Sequence, residues 1–261
     1  MNTKENASAL CEKKIASLCG GETTVRVYNT IDSTNNEAKK MLENGFRGKA
    51  IIAAETQTGG RGRLGRSFYS PAATGLYFTV VVPPCFPAND ATLLTPAAAV
   101  AVTRVLERHF ASNLKIKWVN DIYKDDKKIC GILAEAVLDM EKGGFAGFAV
   151  GIGINLSTED FPLEIAEIAA SLGAPGADRN VIAAEIATEL FSFAKNLPSR
   201  DFLPEYRERS YVTGKEIYFV KGDKKQNATA IGIDEDGGLT VKLENGELTT
   251  LRGGEISVRI R

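Results

Sequence analysis

Residues 115–137 read KIKWVNDIYKDDKKICGILAEAV. Two apolar runs, Ile116 to Tyr123 and Ile129 to Val137, flank Asp125-Asp126-Lys127. Apolar residues at 116, 118 and 122 alternate in part with polar ones, as on a half-buried strand. Two such runs around a charged turn predict two strands. Lys117, Asn120 and Asp121 then fall near one strand end, and Lys128 precedes the second run.

Working outward, Phe145 to Ile154 is an apolar strand punctuated by Gly147, Gly151 and Gly153. Glycines in a strand permit close approach of a ligand or of another backbone. Gly75 to Val82 reads as a strand stopped by Pro83-Pro84. Ile51 to Ala54 and Val25 to Tyr28 read as two more. Helices are predicted at 5–19, from a capping box Thr34-Asn35-Asn36-Glu37 to about Asn44, at 91–110, and near 163–171, 179–196 and 200–209.

The texture changes at Tyr211. Short strands alternate with turns at Gly222-Asp223, Asp236-Gly237-Gly238, Asn245-Gly246 and Gly253-Gly254. Asn-Gly between alternating runs is a hairpin signal, and about 50 such residues suit a small barrel or sandwich. The expected division is an N-terminal extension over 1–22, a main domain over 23–210 and a small domain over 211–261.

Composition excludes several classes. Of 261 residues, 44% are hydrophobic and 25% charged, and the formal net charge is -1. That is an ordinary globular balance, without the bulk charge that draws a chain to nucleic acid or membrane. No apolar run approaches the roughly 20 residues that span a bilayer. Met1 to Gly20 lacks the apolar core of a signal peptide. Cys11, Cys19, Cys85 and Cys130 form no C-x-x-C pair, and His109 is the one histidine. A zinc site and a Ser-His-Asp triad are therefore not expected.

The most unusual segment runs from Gln57 to Arg66 and holds Gly59, Gly60, Gly62 and Gly65 beside Arg61, Arg63 and Arg66. Gly60-x-Gly62-x-x-Gly65 imitates a dinucleotide fingerprint, but Ser67 to Gly75 contains Pro71 and is no amphipathic helix. What remains is a loop of three guanidiniums, suited to phosphate or carboxylate. Taken alone, it also reads as a solvated basic loop, and Lys117-Trp118-Val119-Asn120-Asp121 as a strand and turn.

Six segments occur together in one order: Asp32-Ser33-Thr34-Asn35; Gln57-x-x-x-Arg61-Gly62-Arg63-x-Gly65-Arg66; Lys117-Trp118-x-Asn120-Asp121; Lys128-Ile129-x-Gly131-Ile132-Leu133-x-Glu135; Gly151-x-Gly153-Ile154-Asn155; and Gly253-Gly254-Glu255-Ile256-Ser257. In these the chain resembles the biotin–protein ligase family, across about residues 31–257. The resemblance implies an α+β fold. Its catalytic domain would be similar to class II aminoacyl-tRNA synthetases, with a mixed sheet and flanking helices, followed by a C-terminal SH3-like barrel. It implies a biotin–[acetyl-CoA-carboxylase] ligase of the type without an N-terminal DNA-binding domain. Such an enzyme uses ATP, biotin and Mg²⁺, forms biotinyl-AMP and releases pyrophosphate. It then modifies a lysine of a biotin carboxyl carrier protein or carboxylase subunit in the cytoplasm. DNA and membranes are not expected partners, and a homodimer is an open expectation.

By the same resemblance, Ser33, Thr34, Asn35, Gln57, Gly59, Arg61, Lys128, Gly131 and Gly153 would contact biotin. Arg63, Arg66, Phe68, Asn120, Lys128 and Asn155 would hold ATP or the adenylate. Arg63, Lys117, Asp121 and Lys128 would be catalytic, with Asp121 near the acceptor lysine. The metal ligands stay unassigned. Val119 departs from the family's usual proline and Phe68 from a frequent tryptophan. Lipoate or octanoyl transfer by the same superfamily, and a non-catalytic biotin-binding module, are the rival readings.

Overall fold

The structure, a computed structural model, describes residues 8–221, 224–253 and 257–260. The first elements are α1 (Glu12–Leu18), β1 (Thr24–Ile31), α2 (Thr34–Glu43), β2 (Ala50–Gln57) and β3 (Gly75–Val82). Then come α3 (Leu94–His109), β4 (Lys115–Lys117), β5 (Asp121–Lys124), β6 (Lys127–Leu138) and β7 (Phe145–Asn155). Three helices follow: α4 (Leu163–Ala166), α5 (Arg179–Lys195) and α6 (Leu203–Glu208). The last strands are β8 (Glu216–Lys221), β9 (Lys224–Ile233), β10 (Leu239–Leu243), β11 (Leu248–Leu251) and β12 (Ser257–Ile260).

Seven strands form one sheet in the order β1-β2-β3-β7-β6-β5-β4. β1 and β2 run parallel and the other neighbours antiparallel, so the sheet is mixed. Every residue of β3 is buried, which requires cover on both faces. Ile51 and Ala53 of β2 join the core built with α3 and α5. Their neighbours Ala50 and Ile52 join a smaller core with Ala38, Met41 and Leu42 of α2. The period of two along the strand thus sends successive side chains to opposite helical layers.

Several expectations shift in detail. The run 116–123 is two strands, β4 and β5, because residues 118–120 leave the ladder between the Lys117–Asp121 pair. The Trp118–Val119 peptide is cis. Ser33, not Thr34, precedes the first turn of α2, and no side chain caps it. Thr34 turns inward instead, so the expected capping box is not formed. The helix expected at 163–171 is helical only over Leu163–Ala166. The one expected at 91–110 starts as a tight 3-10 stretch over Ala88–Leu93.

The second sheet is wholly antiparallel, ordered β11-β10-β9-β8-β12. A four-strand meander, β8 to β11, followed by a fifth strand, β12, that returns beside the first is the arrangement of an SH3-like small barrel. Asn245-Gly246 makes the expected hairpin, with Gly246 at φ 87. The expected turn at Gly222-Asp223 and residues Gly254-Glu255-Ile256 of the last motif lie outside the described residues. The chain enters this sheet tied to β4, through Ile116 N to Arg209 O (2.8 Å) and Tyr211 N to Ile116 O (2.9 Å).

Candidate functional site

Two adjoining chambers open above β6 and β7. The larger, of about 630 Å³, is lined by Arg61, Arg63, Arg66, Lys117, Lys128 and Arg259 among its cations, with Asn120, Asp121 and Asn155. The smaller, of about 30 Å³, is lined by Ser33, Thr34, Asn35, Gln57, Gly151 and Gly153 among others. Arg61, Phe68, Gly131 and Leu133 border both. One chamber is strongly cationic; the other sets neutral polar groups against Phe68, Phe78, Leu133 and Ile152, with Arg61 at its border.

The small chamber is a closed hydrogen-bond system. Gln57 Oε1 accepts from the Thr34 amide (2.9 Å) and Thr34 Oγ1 (3.1 Å), and Gln57 Nε2 donates to Ser70 Oγ (3.0 Å). Thr79 Oγ1 lies 2.8 Å from Thr34 Oγ1 and 2.6 Å from Asn35 Oδ1. Asn35 Nδ2 donates to Leu133 O and Glu135 Oε2. Burial raises the Glu135 carboxyl, but bonds from Lys39 and Asn35 and the Arg61 charge outweigh it, leaving its pKa lowered. The Arg61 guanidinium spans Asn36 Oδ1 (2.8 Å) and Glu135 Oε1 (3.4 Å).

Phe68 separates the chambers. Its ring lies flush on Gly131 and Gly153, where a methyl group on either glycine would press against it. Small residues there let the aromatic ring rest on backbone. Lys128 Nζ stands 5.9 Å from the ring centre.

In the large chamber, Lys128 Nζ is 2.7 Å from Asp121 Oδ1. The pair is close but poorly aligned as a hydrogen bond, and Oδ1 is buried with no hydrogen-bonding partner among the described residues. Arg63 donates to Asn120 Oδ1 at 3.2 Å. Its pKa is lowered, chiefly by burial and against the attraction of Asp121. Lys117 donates to Tyr123 Oη at 3.1 Å. Burial first, then the charges of Arg259, Lys128 and Arg66, depress Lys117 to about 8 despite Asp121. Tyr123 is pushed up to about 12, mainly by burial.

All the expected site residues line one or both chambers except Gly59, whose amide instead donates to Asp32 O at 2.8 Å. Sequence reasoning missed Tyr123, Thr79 and Arg259. Tyr123 adjoins a motif and so was within reach. Arg259 sits on β12, and no local pattern links it to a lysine on β4. His109 pairs with Glu185 on the outer face of α3, outside the chamber linings. Among the described residues no three His, Cys, Asp or Glu side chains converge on a metal position, and no helix is long and apolar enough to cross a membrane.

Residues 27–155 match a model described as the biotin/lipoate A/B protein ligase family, and 212–259 match the biotin protein ligase C-terminal domain. The bifunctional ligase/repressor BirA of Escherichia coli K12 is 31% identical over 252 residues, which are 94% of this chain and 76% of that protein. The biotin–[acetyl-CoA-carboxylase] ligase of Paracoccus denitrificans is 39% identical over 128 residues, 48% of this chain and 52% of that one. Among solved structures, the biotin protein ligase from Aquifex aeolicus in complex with biotin and ATP has a TM-score of 0.76 at 28% identity. The match covers 91% of this chain and 99% of that one.

Proposed function

The chain belongs to the biotin protein ligase family, and from that premise we propose that it adenylates biotin with ATP and passes the biotinyl group to a lysine of a biotin-dependent carboxylase subunit. One observation carries the reading. A chamber of paired neutral donors and acceptors, with Arg61 at its border, opens past Phe68 and Gly131 into a chamber ringed by Arg63, Arg66, Lys117 and Lys128. A substrate with an uncharged polar head and a carboxylate tail matches that polarity from end to end.

In this proposal the ureido head of biotin exchanges bonds with Ser33, Thr34 and Gln57. Its carboxylate reaches Lys128 and attacks the α-phosphorus of ATP; the bond to the β-phosphate breaks and pyrophosphate departs. Both reactants are anions, so the fixed cations lower the barrier by offsetting their repulsion. Lys117, Arg63 and Arg66 are the groups available to the phosphates, and Asn120 and Asn155 to the nucleotide. Among the described residues Asp121 is the one carboxylate in the lining, and these residues do not make a resident metal site; Mg²⁺ enters as part of the nucleotide substrate.

In the second half-reaction the acceptor amine attacks the mixed anhydride and AMP leaves. A free lysine has a pKa near 10.4 and is mostly charged at neutral pH. Asp121 would orient that amine and draw off a proton. The reaction belongs to the cytoplasm, where ATP and carboxylase subunits meet.

The test is incubation with ATP, Mg²⁺ and biotin, followed by assay of pyrophosphate and by mass measurement of an added carrier domain. Biotin-dependent pyrophosphate release and a carrier heavier by one biotinyl group are expected. Release with lipoate or octanoate but not biotin would transfer the assignment to the lipoyl branch. Biotin binding without pyrophosphate release would reduce the chain to a binding module.

A further inference from the structure

The loop that carries Asn120 toward the site is held only in part by its own sheet, through β6. Residues 118–120 lie outside the β4–β5 ladder, and each is fixed from a different element. Asn120 exchanges bonds with Ile132 of β6, at 2.8 Å through its side chain and 2.9 Å through its carbonyl. The Val119 carbonyl accepts from Tyr206 Oη of α6 at 2.9 Å. Trp118, 5% exposed, donates its indole N–H to Gly237 O at 2.9 Å. Gly237 belongs to the second sheet, in the turn between β9 and β10.

That turn is built more firmly than a surface connection requires. Asp234 Oδ1 accepts from the amides of Asp236 (2.9 Å) and Gly238 (2.7 Å), and Oδ2 pairs with Arg252 (2.8 Å). Arg200 donates to Glu235 O at 2.9 Å and reaches Asp236 and Asp90. Arg207 holds Ile233 O at 2.9 Å. Gly237 itself, at φ 75, lies against Pro96 and Leu93 at the start of α3. Its left-handed backbone aims the carbonyl at the indole, a conformation that costs glycine little.

We propose that the Asp234–Gly238 turn of the C-terminal sheet is a positioning element of the active site, which fixes Trp118 and thereby the Lys117–Asp121 segment. The same sheet sends Arg259 into the chamber wall, so it meets the site twice. An indole is the side chain this contact needs: it fills a buried apolar position and still carries one donor. The kinetic part of the claim rests on the ligase reading; the structural part does not.

Trp118 is the one tryptophan of the chain, so its emission reports this contact directly. Asp234→Ala is expected to shift the emission to the red. It should lower kcat for biotin-dependent pyrophosphate release at least about tenfold, with KM for biotin within about twofold, because the small chamber does not touch the turn. Asp234→Asn keeps the Oδ1 acceptor and is expected to restore both. Unchanged emission, or a red shift with unchanged kcat, would overturn the proposal. If Asp234→Ala does not fold, Trp118→Phe decides. It removes the donor and keeps a ring, so a tenfold fall in kcat at constant KM supports the proposal and a wild-type kcat refutes it. If the unaltered chain releases no pyrophosphate, the ligase reading falls. The emission of Asp234→Ala against Asp234→Asn then decides for or against the turn alone.

Discussion

The Lys128 ammonium stands 2.7 Å from Asp121 Oδ1, so the two charged groups assigned to successive half-reactions face each other on adjacent strands. Both are partly exposed, which reduces the worth of the pair well below that of a fully buried one. In the proposed reaction, an incoming carboxylate would compete with Asp121 for the same ammonium, and Asp121, freed of Lys128, would become available to the acceptor amine.

Asp121→Asn should therefore slow transfer more than adenylation. The amide keeps the shape and loses the proton acceptor, while Lys128 gains freedom to meet biotin. Single-turnover transfer from preformed biotinyl-AMP is expected to fall by roughly 10²- to 10³-fold, in the range of a lost general base. Pyrophosphate release should change by less than about tenfold. Equal losses in both steps would refute the division of labour.

Arg63→Gly should shorten the life of the bound adenylate. The Arg63 side chain lies over the large chamber and donates to Asn120 Oδ1. Its charge is poorly solvated there, and an anionic phosphate offsets that cost. Loss of one or two charge-assisted bonds is worth roughly 2–3 kcal/mol. The dissociation rate of biotinyl-AMP, followed after dilution into excess unlabelled biotin, is expected to rise about thirtyfold or more. An unchanged rate would remove Arg63 from this role.

With Lys117 at the phosphates, as proposed, nucleotide affinity should depend on pH. With its pKa lowered to about 8, it is charged below that pH and neutral above it. Arg259 on β12, Lys128 on β6, Arg66 in the loop and Asp121 with Tyr123 on β5 are the groups that face it. Affinity for the triphosphate should fall as pH rises through about 8, by roughly tenfold for one lost charged contact. The sign for stability is opposite. Between about 8 and the ordinary lysine value near 10.4, the unfolded chain binds the proton and the folded chain does not. This group's unfavourable contribution is thus present in full below that window and relieved as pH rises through it. Calorimetric titration with ATP should show the affinity trend in the wild type and none in Lys117→Met; a trend that persists in the variant would exonerate Lys117.

Much of this was legible in the sequence. The apolar runs of β2, β3 and β7 announce themselves, because a strand buried on both faces can carry few polar residues. The Gly/Arg loop and the lysines on either side of Asp125-Asp126 carry chemistry in their residue types. The break at Trp118 was not legible, since Ile116 and Ile122 keep an alternating pattern while the backbone between them leaves the sheet. Thr34 looked like a helix cap because Ser/Thr three residues before Glu has that local meaning. The buried Thr79 and the half-buried Gln57 give its hydroxyl other partners. Arg259 and the Trp118–Gly237 bond depend on how two sheets dock, and local periodicity contains nothing of that.

In the proposed binding mode, Phe68 has to move for biotin to enter the small chamber. A chamber of about 30 Å³ has room for one or two waters, not for a fused ring system. The ring that limits it rests on Gly131 and Gly153 without a covalent anchor nearer than its own loop. Once displaced, an aromatic side chain at that position can close again over a bound apolar ring, a contact worth about 0.5–1.5 kcal/mol. Phe68→Ala is therefore expected to raise the association rate of biotin, because no ring has to leave. It should also raise the dissociation rate by about three- to tenfold, because none returns. Phe68→Trp should bind more slowly and hold longer. Stopped-flow measurement of both rates separates these effects from a change in affinity alone. An association rate equal in wild type and Phe68→Ala would mean that the ring does not stand in the path of the ligand.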